Sequence, residues 1–90
     1  MATIFSSHAL KRMFERSVST LTIEHVLEHG QVIQVYPDDQ PYPSRLVLGF
    51  VGTTPLHVVA ANTDVGDTVV ITAYVPDTAL WDNTFTRRRT

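Results

Sequence analysis

A chain of 90 residues with no cysteine and a formal net charge of −2 suits one domain over residues 1–90 with a modest core, held without disulfides or thiolate zinc. The slightly acidic balance speaks against a broadly basic surface that grips nucleic acid without regard to sequence. No stretch approaches the roughly 20 apolar residues that cross a bilayer, and Met1–Phe5 lacks the basic and long apolar regions of a signal peptide. A cytoplasmic protein with no membrane partner is the expectation.

Ser6 or Ser7 is suited to cap a helix over about residues 8–16, since a serine oxygen accepts from first-turn amides. At roughly 100° per residue, Ala9, Leu10, Met13 and Phe14 form one apolar face. His8, Arg12 and Arg16 fall four apart and line a stripe beside it; a solvated helix edge explains this stripe as simply as a site does. Ser19 caps a second helix, with Val18 and Ile23 at the spacing of a hydrophobic staple. Its inward residues are Ile23, Val26 and Leu27, and Gly30 is expected to end it in the left-handed conformation. His25-Val26-Leu27-Glu28-His29 matches the H-x-x-E-H pattern of some zinc peptidases. The helix is short and offers no third ligand, so an exposed histidine pair is the better account, and no metal or other cofactor is expected.

From Gln31 the period changes to that of strands. Residues 31–36 alternate loosely. Pro37, Pro41 and Pro43 stiffen the loop that follows, because each fixes its own φ and restricts its predecessor. Residues 45–51, 56–62 and 68–75 form three more strands joined by Gly52–Pro55 and Thr63–Asp67. Trp81 and Phe85 are expected to cap the core from a short helical tail that ends in Arg87-Arg88-Arg89, a small local basic patch.

The predicted fold is therefore α+β: two N-terminal helices packed on a four-stranded antiparallel meander, with a short C-terminal helical tail. Pro55-Leu56-His57-Val58-Val59-Ala60-Ala61 stands out within it. An imidazole inside an apolar strand needs hydrogen-bond partners, at a cost of roughly 1–3 kcal/mol if it has none. With simple hairpins, Leu46, Leu48, Phe50, His57, Val59, Ala61, Val69, Ile71 and Ala73 share one face. Arg45, Val47, Val58, Thr72 and Tyr74 take the other, and a one-residue slip swaps part of the assignment. On this register His57 points toward the helices and toward His8, Arg12 and Arg16.

The chain resembles the bacterial domain-of-unknown-function family 4258 along most of its length. The resemblance is carried by Ser7-His8-Ala9-Leu10, Arg12-Met13, Glu15-Arg16, Leu27–Gly30, Val32-Ile33, Tyr36-Pro37-Asp38-Asp39 and Pro41-Tyr42-Pro43-Ser44. It continues through Leu48-Gly49, Pro55–Val59, Ile71–Pro76 and Trp81. Ser17 departs from it where glycine is expected, and Val75 where the family usually has an acidic residue. The family is similar in layout to small RelE- and barnase-like ribonuclease toxins, with helices on a four-stranded antiparallel sheet. Its members are often encoded beside an antitoxin-like protein. The resemblance implies an RNA substrate and an antitoxin partner, by fold analogy alone.

Metal-independent RNA cleavage needs a base for the 2′-hydroxyl, an acid for the leaving 5′-oxygen and positive charge on the phosphate. His8 and His57 suit the proton steps, in either order, and Arg12 and Arg16 the phosphate. Tyr74 and Thr72 suit placement of the scissile group, and Tyr42 suits stacking on an unpaired base. The alternative is a non-catalytic protein-interaction module. The two separate on geometry: catalysis requires His8, Arg12 and His57 to converge on one reachable pocket, docking requires an exposed apolar patch.

Overall fold

A computed structural model describes residues 2–89. Strand β1 (Thr3–Phe5) leads into helices α1 (Ser7–Glu15) and α2 (Thr20–His29), followed by β2 (Gln31–Tyr36), β3 (Ser44–Val51), β4 (Thr54–Asn62) and β5 (Thr68–Tyr74). Both helices begin as their serines dictate: Ser6 Oγ accepts from the Ala9 amide at 3.0 Å and Ser19 Oγ from the Thr22 amide at 3.1 Å. No helix among the described residues is long and apolar enough to cross a membrane.

The α+β class and the β2–β5 meander agree with the sequence, but the sheet has five strands in the order β1-β5-β4-β3-β2. The strand not expected is β1, which pairs in parallel with β5, Thr3 against Thr68 and Phe5 against Val70. Three residues are too few to show a period of two, and their partner lies over sixty positions away. Nor is the C-terminal tail helical. It makes turns and an isolated antiparallel bridge between Trp81 and Arg88. The cause is local: Asp77 Oδ1 accepts from the Ala79 amide at 2.8 Å, and Asp82 Oδ1 from the Thr84 amide at 3.1 Å and the Thr86 amide at 3.3 Å. These side chains take backbone donors that a helix would use.

The helices cover one face of the sheet. Ala9, Met13, Ile23 and Val26 form the core with Val47, Leu56, Val58, Val70 and Ala73. Two glycines matter to this packing for want of a Cβ. One added at Gly49 would meet Val26 Cγ2 at 2.6 Å, and one at Gly30 the Val26 carbonyl oxygen at 2.5 Å. Gly30 has φ −75°, so close approach, not the expected left-handed turn, explains it. The left-handed residue lies after α1 instead, where Ser17 has φ +54°. A non-glycine residue there costs roughly 1–2 kcal/mol, so Ser17→Gly is expected to raise stability by about 1 kcal/mol and Tm by about 5 °C. Thermal unfolding followed by circular dichroism checks it.

Leu10 and Phe14 do not join the core. Phe14 is 88% exposed, because α1 meets the sheet along its Ala9–Met13 edge and Phe14 lies roughly 100° round the helix from Met13.

Candidate functional site

Register decides which residues meet. Leu48 lies opposite His57, and Leu46 opposite Val59. On the other side His57 pairs with Tyr74 and Val59 with Thr72, and the register then shifts between Val59 and Ala60. Tyr74 and Thr72 therefore share the face of His57, and Ala73 goes to the helix side. This corrects the expected assignment by one residue on β5. It also reverses the expected direction of His57: Leu56 and Val58 face the helices, so His57 between them faces away.

The tail crosses the sheet on this second face and closes over the imidazole. His57 is wholly buried. Its ring lies edge-on to Trp81 with centroids 4.5 Å apart, and 5.3 Å from the ring of Tyr74. Nε2 is 2.8 Å from the Phe85 carbonyl oxygen, and Nδ1 is 3.3 Å from the Tyr74 hydroxyl. A carbonyl only accepts, so the Nε2–H donates to it. The neutral ring then carries its free lone pair on Nδ1, where it accepts from the Tyr74 O–H. Phe85 presents that carbonyl from a left-handed backbone, φ +61°, a conformation that costs free energy for a bulky residue.

Burial holds the His57 pKa below 6.5, against a smaller opposing effect of the Phe85 carbonyl. Burial raises the Tyr74 pKa, with Tyr36 adding to the rise and Arg88 opposing it. At neutral pH the pair is an uncharged imidazole and an uncharged phenol. The tail is fastened independently. Arg89 Nε donates to the Thr78 carbonyl at 3.0 Å and its Nη2 to Asn83 Oδ1 at 3.2 Å. Asp82 has its pKa lowered, chiefly by the Thr84 hydroxyl.

Between the tail and edge strand β2 runs an open groove of about 760 Å³. Tyr74 and Trp81 form part of its wall, with Tyr36 and Gln34 on the β2 side and Arg87 and Arg88 on the tail side; among the described residues no side-chain carboxylate lines it. The Arg88 guanidinium lies 5.8 Å from the centroid of the Trp81 ring, within the range of a cation–π contact. The phenol of Tyr74 thus connects buried His57 to a water-reachable surface that carries two exposed arginines.

The other sequence-derived candidates lie elsewhere. His8, Arg12 and Arg16 are exposed on or just after α1, across the sheet from His57, and Arg12 Nη1 donates to Glu15 Oε1 at 3.4 Å. The expected convergence of these three with His57 does not occur. Thr72 shares the His57 face without lining the groove. Tyr42 donates to Asp64 Oδ1 at 3.5 Å and is also absent from the groove lining. His25 and His29 lie side by side on the surface of α2, their rings tilted at 43° with centroids 4.7 Å apart. No group of three histidine, cysteine or carboxylate side chains among the described residues is placed to hold a metal.

Of the residues that line the groove, sequence reasoning assigned Tyr74 alone to a site; Gln31, Gln34, Tyr36, Trp81, Arg87 and Arg88 were missed. The signal for the two arginines was the basic cluster near the end of the chain, which gains meaning once the tail is known to return across the sheet.

Comparison with known proteins yields no matching curated protein and no matching solved structure. A family model for a domain of unknown function, DUF4258, matches residues 5–75. The match covers both helices and all the strands from β2 to β5, and it stops before the tail that completes the groove. By that match the chain belongs to the DUF4258 family.

Proposed function

We propose that the protein is a toxin-like, metal-independent endoribonuclease of the cytoplasm, with its site in the groove between β2 and the tail. The observation that carries this proposal is the Tyr74–His57 hydrogen bond opening onto a groove that has arginines and aromatic rings and, among the described residues, no acidic side chain. Single-stranded RNA suits such a surface, because arginine pairs with phosphate oxygens and exposed aromatic faces stack on unpaired bases.

The chemistry follows from the tautomer. The phenol oxygen of Tyr74 takes the proton of a ribose 2′-hydroxyl while its own proton passes to His57 Nδ1. The resulting imidazolium donates from both nitrogens, to Tyr74 and to the Phe85 carbonyl. The 2′-oxygen bonds to the adjacent phosphorus, the P–O5′ bond breaks, and the departing oxygen takes a proton from water in the open groove; the hydroxide so formed is neutralised as His57 returns its proton through the Tyr74 hydroxyl. Arg87 and Arg88 offset the charge that builds on the phosphate oxygens. His57 acts only through Tyr74, since its own ring is out of solvent.

A second protein is proposed for the helix side, in the role of an antitoxin. Leu10, 48% exposed, and Phe14 lie one turn apart on α1 with Lys11 beside them. That surface suits a partner with apolar side chains and a negative charge.

The test is to incubate the purified protein with mixed RNA in excess chelator and to analyse the fragment ends. Fragments ending in 2′,3′-cyclic phosphate and 5′-hydroxyl are expected. Intact RNA, or 3′-hydroxyl ends, would contradict this chemistry.

A further inference from the structure

The sheet ends in two edges, β1 and β2. β1 has three residues, whereas β2 has six, Gln31-Val32-Ile33-Gln34-Val35-Tyr36, with neither a charge nor a proline among them. Short length, charge, proline and bulges are the usual means of keeping an edge from pairing, and β2 has only the last. Its irregularity falls at Ile33, since Val32 lies opposite Val47 and Gln34 opposite Leu46. In a regular strand residues three or five apart face opposite ways. The extra residue reverses this. Val32 and Val35, opposite Val47 and Arg45, both lie on the helix side, and Gln31 and Tyr36, opposite Leu48 and Ser44, both lie on the His57 side. The strand therefore shows the same order of sides read in either direction. α1 packs on β5 and α2 on β3 and β4, so the two valines are left uncovered, Val32 at 49% and Val35 at 60% exposure.

We propose that β2 pairs antiparallel with β2 of a second copy, about a two-fold axis normal to the sheet. The register that pairs all six residues sets Gln31 opposite the partner's Tyr36, Val32 opposite the partner's Val35 and Ile33 opposite the partner's Gln34. The outer pairs then match in side, as antiparallel neighbours must. The valines cover one another in two equivalent contacts, and the free N–H and C=O groups of the edge find partners. A two-fold interface uses the same patch on both copies. An unrelated strand would place no demand on where the irregularity falls, whereas self-pairing in this register requires it near the middle of β2. The axis keeps both grooves on one side of the joined sheet. Gln31 is level with Leu48, His57 and Tyr74, so the partner's Tyr36 arrives in the row of Tyr74 and extends that groove's wall. The pairing itself does not depend on the chemistry proposed for the groove.

The experiment is sedimentation velocity of the full chain over a range of concentrations, with cysteine pairing as the check on register. The wild type is expected to approach twice the chain mass as concentration rises. Val35→Lys, its folding checked by circular dichroism, should stay at the mass of one chain. The chain has no cysteine of its own. Val32→Cys and Val35→Cys variants, purified apart and mixed under mild oxidation, should therefore form a mixed disulfide dimer in preference to either homodimer. A wild type that stays single at every concentration would overturn the pairing and leave β2 to a strand of another protein. A dimer indifferent to Val35→Lys would place the interface elsewhere and overturn it too. A dimer that Val35→Lys dissociates, but whose cysteine variants fail to join in the mixture, would overturn the register and the partner's Tyr36 in the groove.

Discussion

His57→Ala should lower the stability of the protein by about 3 kcal/mol, seen as a Tm lower by roughly 15 °C. The loss has two sources. The substitution empties a fully buried site beneath Trp81, and it leaves the Phe85 carbonyl and the Tyr74 hydroxyl without their partner. A buried polar group deprived of its hydrogen bond costs roughly 1–3 kcal/mol. Trp81, the single tryptophan of the chain, reports the change directly, because its ring is in edge contact with the imidazole.

The same residue gives stability a pH dependence of definite sign. The native pKa of His57 lies below 6.5, so between that lowered value and 6.5 the unfolded chain binds a proton that the native protein does not. Stability therefore increases with pH through this window and is lost on acidification. Denaturant melts at a series of pH values should show this slope in the wild type and a shallower one in His57→Ala. Equal slopes would assign the dependence to other groups.

The serine caps, the strands from β2 to β5 and the isolation of His57 in an apolar strand were legible from sequence, because each rests on a local pattern. What decides the site is not local. The face on which His57 lies depends on where the two helices pack, and alternation within β4 fits either face. The pairing of Tyr74 with His57 depends on the register between β4 and β5, and one residue of slip exchanges Tyr74 for Ala73. The tail was expected to cap the core through Trp81 and Phe85, and both do lie against His57. Its path was hidden because Asp77 and Asp82 act on the backbone through side-chain bonds that no periodicity reveals. His8, Arg12 and Arg16 look like a site in sequence because they fall four apart on a helix. That spacing says only that they share a side of α1, and the side they share lies across the sheet from His57.

The second large effect is expected at Tyr74. Tyr74→Phe removes one oxygen from a half-buried ring that keeps its packing, and His57 stays in place through the Phe85 carbonyl. The fold should tolerate the change at a cost of about 1 kcal/mol, whereas the route from the 2′-hydroxyl to Nδ1 is cut. Loss of a positioned proton acceptor costs on the order of 10²–10⁴ in rate. Arg12→Ala removes a cation from the other side of the sheet and one exposed contact to Glu15. It should leave cleavage within about twofold of wild type, since an exposed pair of this kind is worth little. The decisive measurement is the initial rate of RNA cleavage in excess chelator for the wild type, Tyr74→Phe and Arg12→Ala side by side, with folding checked by circular dichroism. The groove site predicts a cleaving wild type, a nearly inactive Tyr74→Phe and an active Arg12→Ala; an active Tyr74→Phe beside an inactive Arg12→Ala would contradict it and return the site to α1.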